Sequence, residues 1–513
     1  MLDHLLRLSL SNRMLAFVLA AGLAAWGWYA FSNLTVEAFP DPTDTQVQVI
    51  TVYPGQPTEE VERRISIPIE RALNGTPGLF RLRSISLFGL SFVTLTFEDG
   101  VDPERARQRV VERLGDCTLP TGVDPKLGPL ATPIGEVYRY TLEGAGADPM
   151  TLRTLQDWTV RPQLLRVPGV ADVVSYGGLL REVHVTPDPV KMASLGVGLS
   201  DVFQALTRAS DNATGGYVER GAEVFVIRSI GIFKTLSDIE KVRVGFRDGV
   251  PVTVKNIGTV SVGFAPRQGV VSRDGNEDTV EGIVLMRRGQ NPSVVLAALR
   301  DRIQAINARV LPKPIRIEPF YDRTELVDTT LKTVFHNLME GAGLVVLVLF
   351  LFTLSVRAAL IVATVIPLSL LASFAYLHAR GMSANLLSMG AVDFGIIVDG
   401  AVILVEHLFH RLSEEDPAHR TTSERILHAA REVARPTLFS LLIIIAAYLP
   451  IFSLQRVEGR IFSPMANTVV SALIGALLIS FTLVPVLSLY ALRRHRKVLE
   501  SPVLRWARRA HDP

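Results

Sequence analysis

The chain has 513 residues, 48% of them hydrophobic, and a formal charge of +3 from 53 basic and 50 acidic side chains. So small a net charge, with no basic run interleaved with aromatics, excludes a nucleic-acid groove. One cysteine, Cys117, excludes an intramolecular disulfide and a cysteine-based metal cluster.

In chain order, residues 1–13 read as an amphipathic segment, and 14–34 (MLAFVLAAGLAAWGWYAFSNL) as a first membrane span. That apolar run exceeds the core of a cleaved signal peptide, the alternative reading, so a retained span is expected. The block that follows alternates strand-like and helix-like patterns. TQVQVITVY (45–53) alternates like a strand, and PTEEVERRISIPIERALNG (57–75) reads as a helix ended by Gly75. RLRSISLFGLSFVTLTFEDG (81–100) looks like two strands joined at Phe88-Gly89, and Asp102-Pro103 opens a second helix over 102–114. Strand, helix, two strands and helix suggest a split βαβ, ferredoxin-like unit. The order returns weakly in EVYRYTLEG (136–144), a helix over 150–167, the strands ADVVSYGG and REVHVTPD, then EGIVLMRRG (281–289), a helix over 292–310 and IRIEPFY (315–321). Residues 189–266 read as an insertion.

Five further spans are expected at 337–354, 359–378, 384–409, 437–454 and 464–492. Basic residues set the orientation. Arg7 and Arg13 precede the first span, Arg357 separates the second and third, Arg411, Arg420, Arg425, Arg431 and Arg435 separate the fourth and fifth, and RRHRK (493–497) follows the sixth. Both termini are thereby expected in the cytoplasm, with 35–332 outside it. The fold class is an α+β membrane protein with six transmembrane helices and a large extracytoplasmic region.

The fourth span holds Asp393, Asp399 and Glu406, and each charge at mid-bilayer costs about 2.5–3.5 kcal/mol on insertion scales. At 100° per residue, Glu406 lies within ~20° of Asp399 and about 10 Å along the helix axis, while Asp393 points some 120° away. Gly395, Gly400 and Ala401 flank them and permit close helix approach. One reading is protonated carboxyls that only hydrogen-bond between helices. The other is proton translocation, because burial and a nearby cation move a carboxyl's proton affinity in opposite directions. No Lys or Arg occurs within the six apolar spans, so the cationic partner is expected from another polypeptide.

DFGIIVDGAVILVEH (393–407) resembles the fourth-span motif of resistance–nodulation–division (RND) efflux pumps, most closely the heavy-metal-efflux branch with its DFGxxxDGAVxxVEN pattern. VEAFPDPTDTQVQV (36–49), GGYVERGAEVFVIRSIG (215–231) and FYDRTELVD (320–328) resemble the same branch, and the likeness covers essentially the whole chain. Multidrug members carry two adjacent aspartates, where Gly400 follows Asp399 here. Copper and silver members carry methionine where Ile397 stands. These departures favour a divalent-cation pump. His407 replaces the usual asparagine.

The resemblance implies two porter subdomains, the first at 35–135 and the second at 136–188 and 267–332, with a docking subdomain at 189–266, helices two to six within 333–492, and a cytoplasmic tail at 493–513. It implies proton antiport of zinc, cobalt, cadmium or nickel through Asp399, Asp393 and Glu406, without a bound cofactor; the metal is cargo and the proton motive force the drive. It also implies a bacterial inner-membrane location, trimeric assembly, and partners in a periplasmic adaptor and an outer-membrane channel. Family members have two similar halves, and this chain resembles the N-terminal one, so a C-terminal half or a second copy is the expected partner. The rivals are a non-transporting remnant or assembly subunit, and an RND-like exporter of another cargo.

Metal ligation is otherwise sparsely marked. Glu136 offers one carboxylate to a porter cleft, against a solvated strand-end reading. His184 is alone in the extracytoplasmic block, His336 and Glu340 read as an interfacial pair, and His407 and His410 as facing cytoplasm or lipid headgroups. No GxxxxGK[ST] or GxSxG pattern occurs, so neither ATP drive nor a hydrolase is expected.

Overall fold

The computed structural model describes residues 2–37, 39–210, 212, 214–228, 231–267, 269–390, 394–413 and 421–492. Six helices among them are long and apolar enough to cross a bilayer: α1 (Arg13–Asn33), α2 (Arg323–Thr353), α3 (Val356–Ala379), α4 (Phe394–Ser413), α5 (Thr422–Tyr448) and α6 (Arg456–Ala491). Between α1 and α2 lies the head module.

Two four-stranded antiparallel sheets build the head. The first contains β1 (Gln46–Val52), β2 (Leu79–Leu87), β3 (Leu90–Phe97) and β4 (Lys126–Leu127), ordered β2–β3–β1–β4. The second contains β5 (Glu136–Glu143), β6 (Val170–Gly177), β7 (Val280–Met286) and β8 (Arg316–Asp322), ordered β8–β5–β7–β6. Numbering strands from one within each unit gives 2-3-1-4 and 4-1-3-2, the same arrangement read from opposite edges. The repeat that the sequence hints at is therefore shared topology. Each sheet buries one face under its helices, in a separate apolar core.

The units share a second feature that hydropathy does not announce. The first helix of each opens into a π turn, Glu62–Ser66 in one and Gln156–Val160 in the other. A proline follows both, Pro68 and Pro162. Proline lacks an N–H and its ring collides with the carbonyl four residues earlier, so the chain opens by one residue just before it.

Arg181–Pro187, expected with the second unit, instead pairs antiparallel with Gly258–Phe264 outside the four-stranded sheet. The strands lead into the insertion, which has its own small core of Val197, Val202, Val242, Val252 and Ile257. The hairpin Thr214–Arg220/Glu223–Arg228 extends from it. Val226 there is 76% exposed and Tyr217 67%.

Helix α2 starts well before the expected apolar run, directly after β8, where the Asp322 carboxylate accepts from Thr324 N at 2.9 Å. The stretch expected as one span over 384–409 opens on a strand, and residues 391–393 within it lie outside the described residues. Ala384–Asn385 pairs in parallel with Val36–Glu37, and Asn385 and Ser388 exchange bonds of 2.7–3.0 Å to open the short helix Leu386–Gly390 ahead of α4. Small residues seat the central helix α3. A Cβ on Gly27 of α1 would lie 2.6 Å from Leu371, and one on Gly475 of α6 would lie 2.7 Å from the Cβ of Ala372, the close approach by which membrane helices associate.

In the second unit Tyr140 is fully buried, donating to Gln156 Oε1 at 3.0 Å, and a Cβ on Gly282 of β7 would lie 2.2 Å from its ring. Gly282→Ala is therefore expected to destabilise the head by about 1–3 kcal/mol. Gly343→Ala, where a Cβ meets open space, is expected to leave the melting temperature unchanged or slightly raised. Thermal unfolding of the purified chain compares the two.

Candidate functional site

Helix α4 has two chemically opposed faces. Ile397, Val398, Ala401, Leu404, Val405 and Leu408 are buried, at helical spacing, against α3, α5 and α6. Gly400 belongs to this side: a Cβ there would lie 3.1 Å from Thr437 Cγ2 and 3.3 Å from Leu441 Cδ1 of α5. The glycine following Asp399 is thus a packing requirement that brings α5 against α4.

The opposite stripe is Gly395, Asp399, Ile403, Glu406 and His410, all exposed at the surface of this chain. The spacing of four, four, three and four keeps them on one side of the helix. Asp399 and Glu406 share the face that their separation suggests, and the stripe continues to His410. Asp393 lies outside the described residues. What the six helices leave open is a carboxylate-bearing surface in the middle of an apolar bundle.

At the end of α4 away from the head, His407 turns to the α5 side. Its Nε2 lies 2.7 Å from Glu432 Oε2, which also takes a 3.0 Å contact from the Arg411 guanidinium, while His428 Nδ1 lies 3.2 Å from Glu432 Oε1. Glu432 is the residue that the sequence reading missed; the His428–Glu432 spacing of four was the available signal. Next to it, Arg431 reaches Asp3 and ties the short Leu2–Ser11 helix to α5. The two histidines of this end therefore have different surroundings.

Glu136 is not brought near α4. It opens β5 in the head, where its carboxylate accepts from Arg139, and Arg139 also lies 3.8 Å from Glu281. Burial pushes the Glu281 carboxyl above its ordinary range, Arg139 opposes that, and Glu136 adds to it. Glu136 lines a cavity of about 520 Å³ with Phe39, Arg139, Phe320, Tyr321 and Leu326. Its neighbour is a guanidinium. His184 lies 3.3 Å from Glu182, and His336 and Glu340 form a 3.0 Å exposed pair on α2. Among the described residues no three His, Cys, Asp or Glu side chains stand together in a metal-holding arrangement.

Comparison with known proteins accounts for this architecture. The AcrB/AcrD/AcrF family model matches residues 5–512. The cobalt-zinc-cadmium resistance protein CzcA of Cupriavidus metallidurans and the cation efflux system protein CzcA of an Alcaligenes species are each 41% identical over 530 residues, covering 100% of this chain and 50% of theirs. The crystal structure of a heavy metal efflux pump superposes with a TM-score of 0.85 at 42% identity, over 94% of this chain and 48% of that one. The chain spans about half the length of the curated relatives it matches. Motif, bundle and head together place it: the chain belongs to the AcrB/AcrD/AcrF family, on the side of its heavy-metal efflux proteins.

Proposed function

We propose that the chain supplies the N-terminal half of a proton-driven antiporter that exports divalent heavy-metal cations such as zinc, cobalt, cadmium or nickel across a bacterial inner membrane. The observation that carries this reading is the exposed Asp399–Glu406 stripe on α4, in a chain whose relatives are cation efflux proteins. Asp399 carries the proton, Glu406 continues the path, and Asp393 assists. A second set of helices, from a C-terminal half or a second copy, covers the stripe and brings the cation that these spans lack. Covered in this way, a carboxyl alternates between a low-dielectric setting that keeps its proton and a cationic one that releases it. One charge moving through 100 mV supplies about 2.3 kcal/mol to the cycle.

In this reading both termini are cytoplasmic and the head is periplasmic. Its two units are porter subdomains of split-βαβ, ferredoxin-like type, with the insertion as docking subdomain. Glu136 contributes one carboxylate to a metal path whose other ligands lie outside this chain, and a cation arriving there would have to displace its bond to Arg139. The exposed hairpin with Tyr217 and Val226 engages a neighbouring copy in a trimer, beneath an adaptor and an outer-membrane channel.

Everted vesicles that hold the chain with a co-expressed C-terminal half test the reading. Under an imposed pH gradient, Zn²⁺ transport is expected to fall to background for Asp399→Asn and to a partial rate for Glu406→Gln; full transport by Asp399→Asn would overturn it. Val226→Asp is expected to shift the assembly from trimer to monomer by light scattering, with the circular dichroism spectrum unchanged, since it places a charge in the apolar interface.

A further inference from the structure

The head and the helix bundle meet around a cavity of about 680 Å³. Helix α6 presents one face to it, Arg456, Gly459, Arg460 and Ser463, at the head end of the bundle. If the six helices cross a bilayer, this is the level of its headgroups. Phe452, Leu454, Met382 and Pro464 form an apolar wall on the bundle side.

The rest of the lining is dominated by guanidinium groups. Arg287, Arg288, Arg323, Arg456 and Arg460 stand against three carboxyl groups, Glu37, Asp41 and Asp99. Two of the five are engaged. Arg460 lies 3.0 Å from Asp44 and also binds Asp99, and Arg456 lies over the Phe80 ring at 4.0 Å. The other three are different. Arg288 donates to neutral oxygens, Thr43 O at 2.8 Å and Thr45 Oγ1 at 3.4 Å. Arg323, only 5% exposed, donates to the Ile134 carbonyl, and Arg287 is exposed on the rim. Among the described residues, none of the three takes part in the ion pairs of this cavity.

A buried guanidinium without an anion is costly. The acid beside Arg323 is Glu37, whose carboxyl burial pushes above its ordinary range, with Arg323 opposing the shift and Asp41 adding to it. Desolvation thus works against the ionised form of the acid beside Arg323. With Asp44 counted beside Glu37, Asp41 and Asp99, five guanidinium groups still outnumber the carboxyls, a balance that favours an anion over a hydrated divalent cation. Planar guanidinium groups match the oxygens of a phosphate, which they bind through paired charge-assisted hydrogen bonds.

We propose that this cavity binds a phosphate anion through Arg287, Arg288 and Arg323, and that its apolar wall favours the headgroup of an anionic phospholipid as the source. The site is independent of proton coupling and of the metal carried.

The delipidated full chain in neutral detergent is titrated with phosphatidylglycerol, with phosphatidylcholine and with inorganic phosphate, followed by native mass spectrometry and thermal unfolding. Phosphatidylglycerol is expected to bind and raise the melting temperature, and Arg287→Gln/Arg288→Gln to weaken it roughly tenfold or more, since two charge-assisted contacts are lost. That double variant alters exposed or half-exposed positions and spares the buried Arg323, whose own Arg323→Gln change adds loss of binding wherever the variant folds. Saturation by inorganic phosphate alone, lost in the same variant, would keep the phosphate site and assign it to a free ion. Equal retention of phosphatidylglycerol by wild type and double variant, or no binding of any probe, overturns the proposal.

Discussion

A carboxylate is poorly tolerated against hydrocarbon, and the arrangement of this molecule follows from where α4 puts two of them. Its apolar face is fully used: Ala401, Leu404, Val405 and Leu408 are buried, and Gly400 lets α5 approach within contact of the helix backbone. The acids occupy the remaining side because no other side is left. A helix packed all round would have had to bury Asp399 among aliphatic residues of its own chain. Instead the bundle ends at the stripe, which stays at the surface of this chain. Half of each curated relative lies beyond the matched length.

The same economy applies at the far end of α4. His407 stands where the family pattern has asparagine, and its ring meets Glu432 together with Arg411 and His428. An acid at one junction of two helices therefore serves three nitrogen donors. His410, three residues on, stays with the exposed stripe. Neighbouring histidines in sequence thus face different environments, a distinction visible only once the helix has been assigned a packed side.

Much of this was legible in the residues. The six apolar runs, the Phe88-Gly89 turn and the shared face of Asp399 and Glu406 follow from periodicities that need no tertiary information. The strand orders are consistent with the repeated pattern, yet sequence alone did not reveal that Arg181–Pro187 leaves its sheet for Gly258–Phe264, because both partners alternate acceptably in either place. The start of α2 was hidden for a related reason: hydropathy marks where a helix becomes apolar, whereas Asp322 marks where the backbone begins to coil. The two π turns were invisible because hydropathy cannot register one extra residue in a turn. Glu432 was missed because two of its three partners, His407 and Arg411, come from another helix, and the arginine-lined cavity because its walls are assembled from segments far apart in the chain.

Helix α6 carries a mechanical implication. It has 36 residues, about 54 Å at the standard rise, and packs along α3 and α4. Its head end is held by several different attachments: Arg460 on Asp44 and Asp99, the Arg456 amide on Asp99 at 3.0 Å, and the Arg456 guanidinium over Phe80. Asp99 and Phe80 both belong to the first sheet unit, beside the β2–β3 hairpin. Such a joint resists axial sliding as a rivet does. Thrust delivered to α6 by its neighbours must either shear these contacts together or swing the first unit as a body, so an axial displacement of the helix is passed on to that unit.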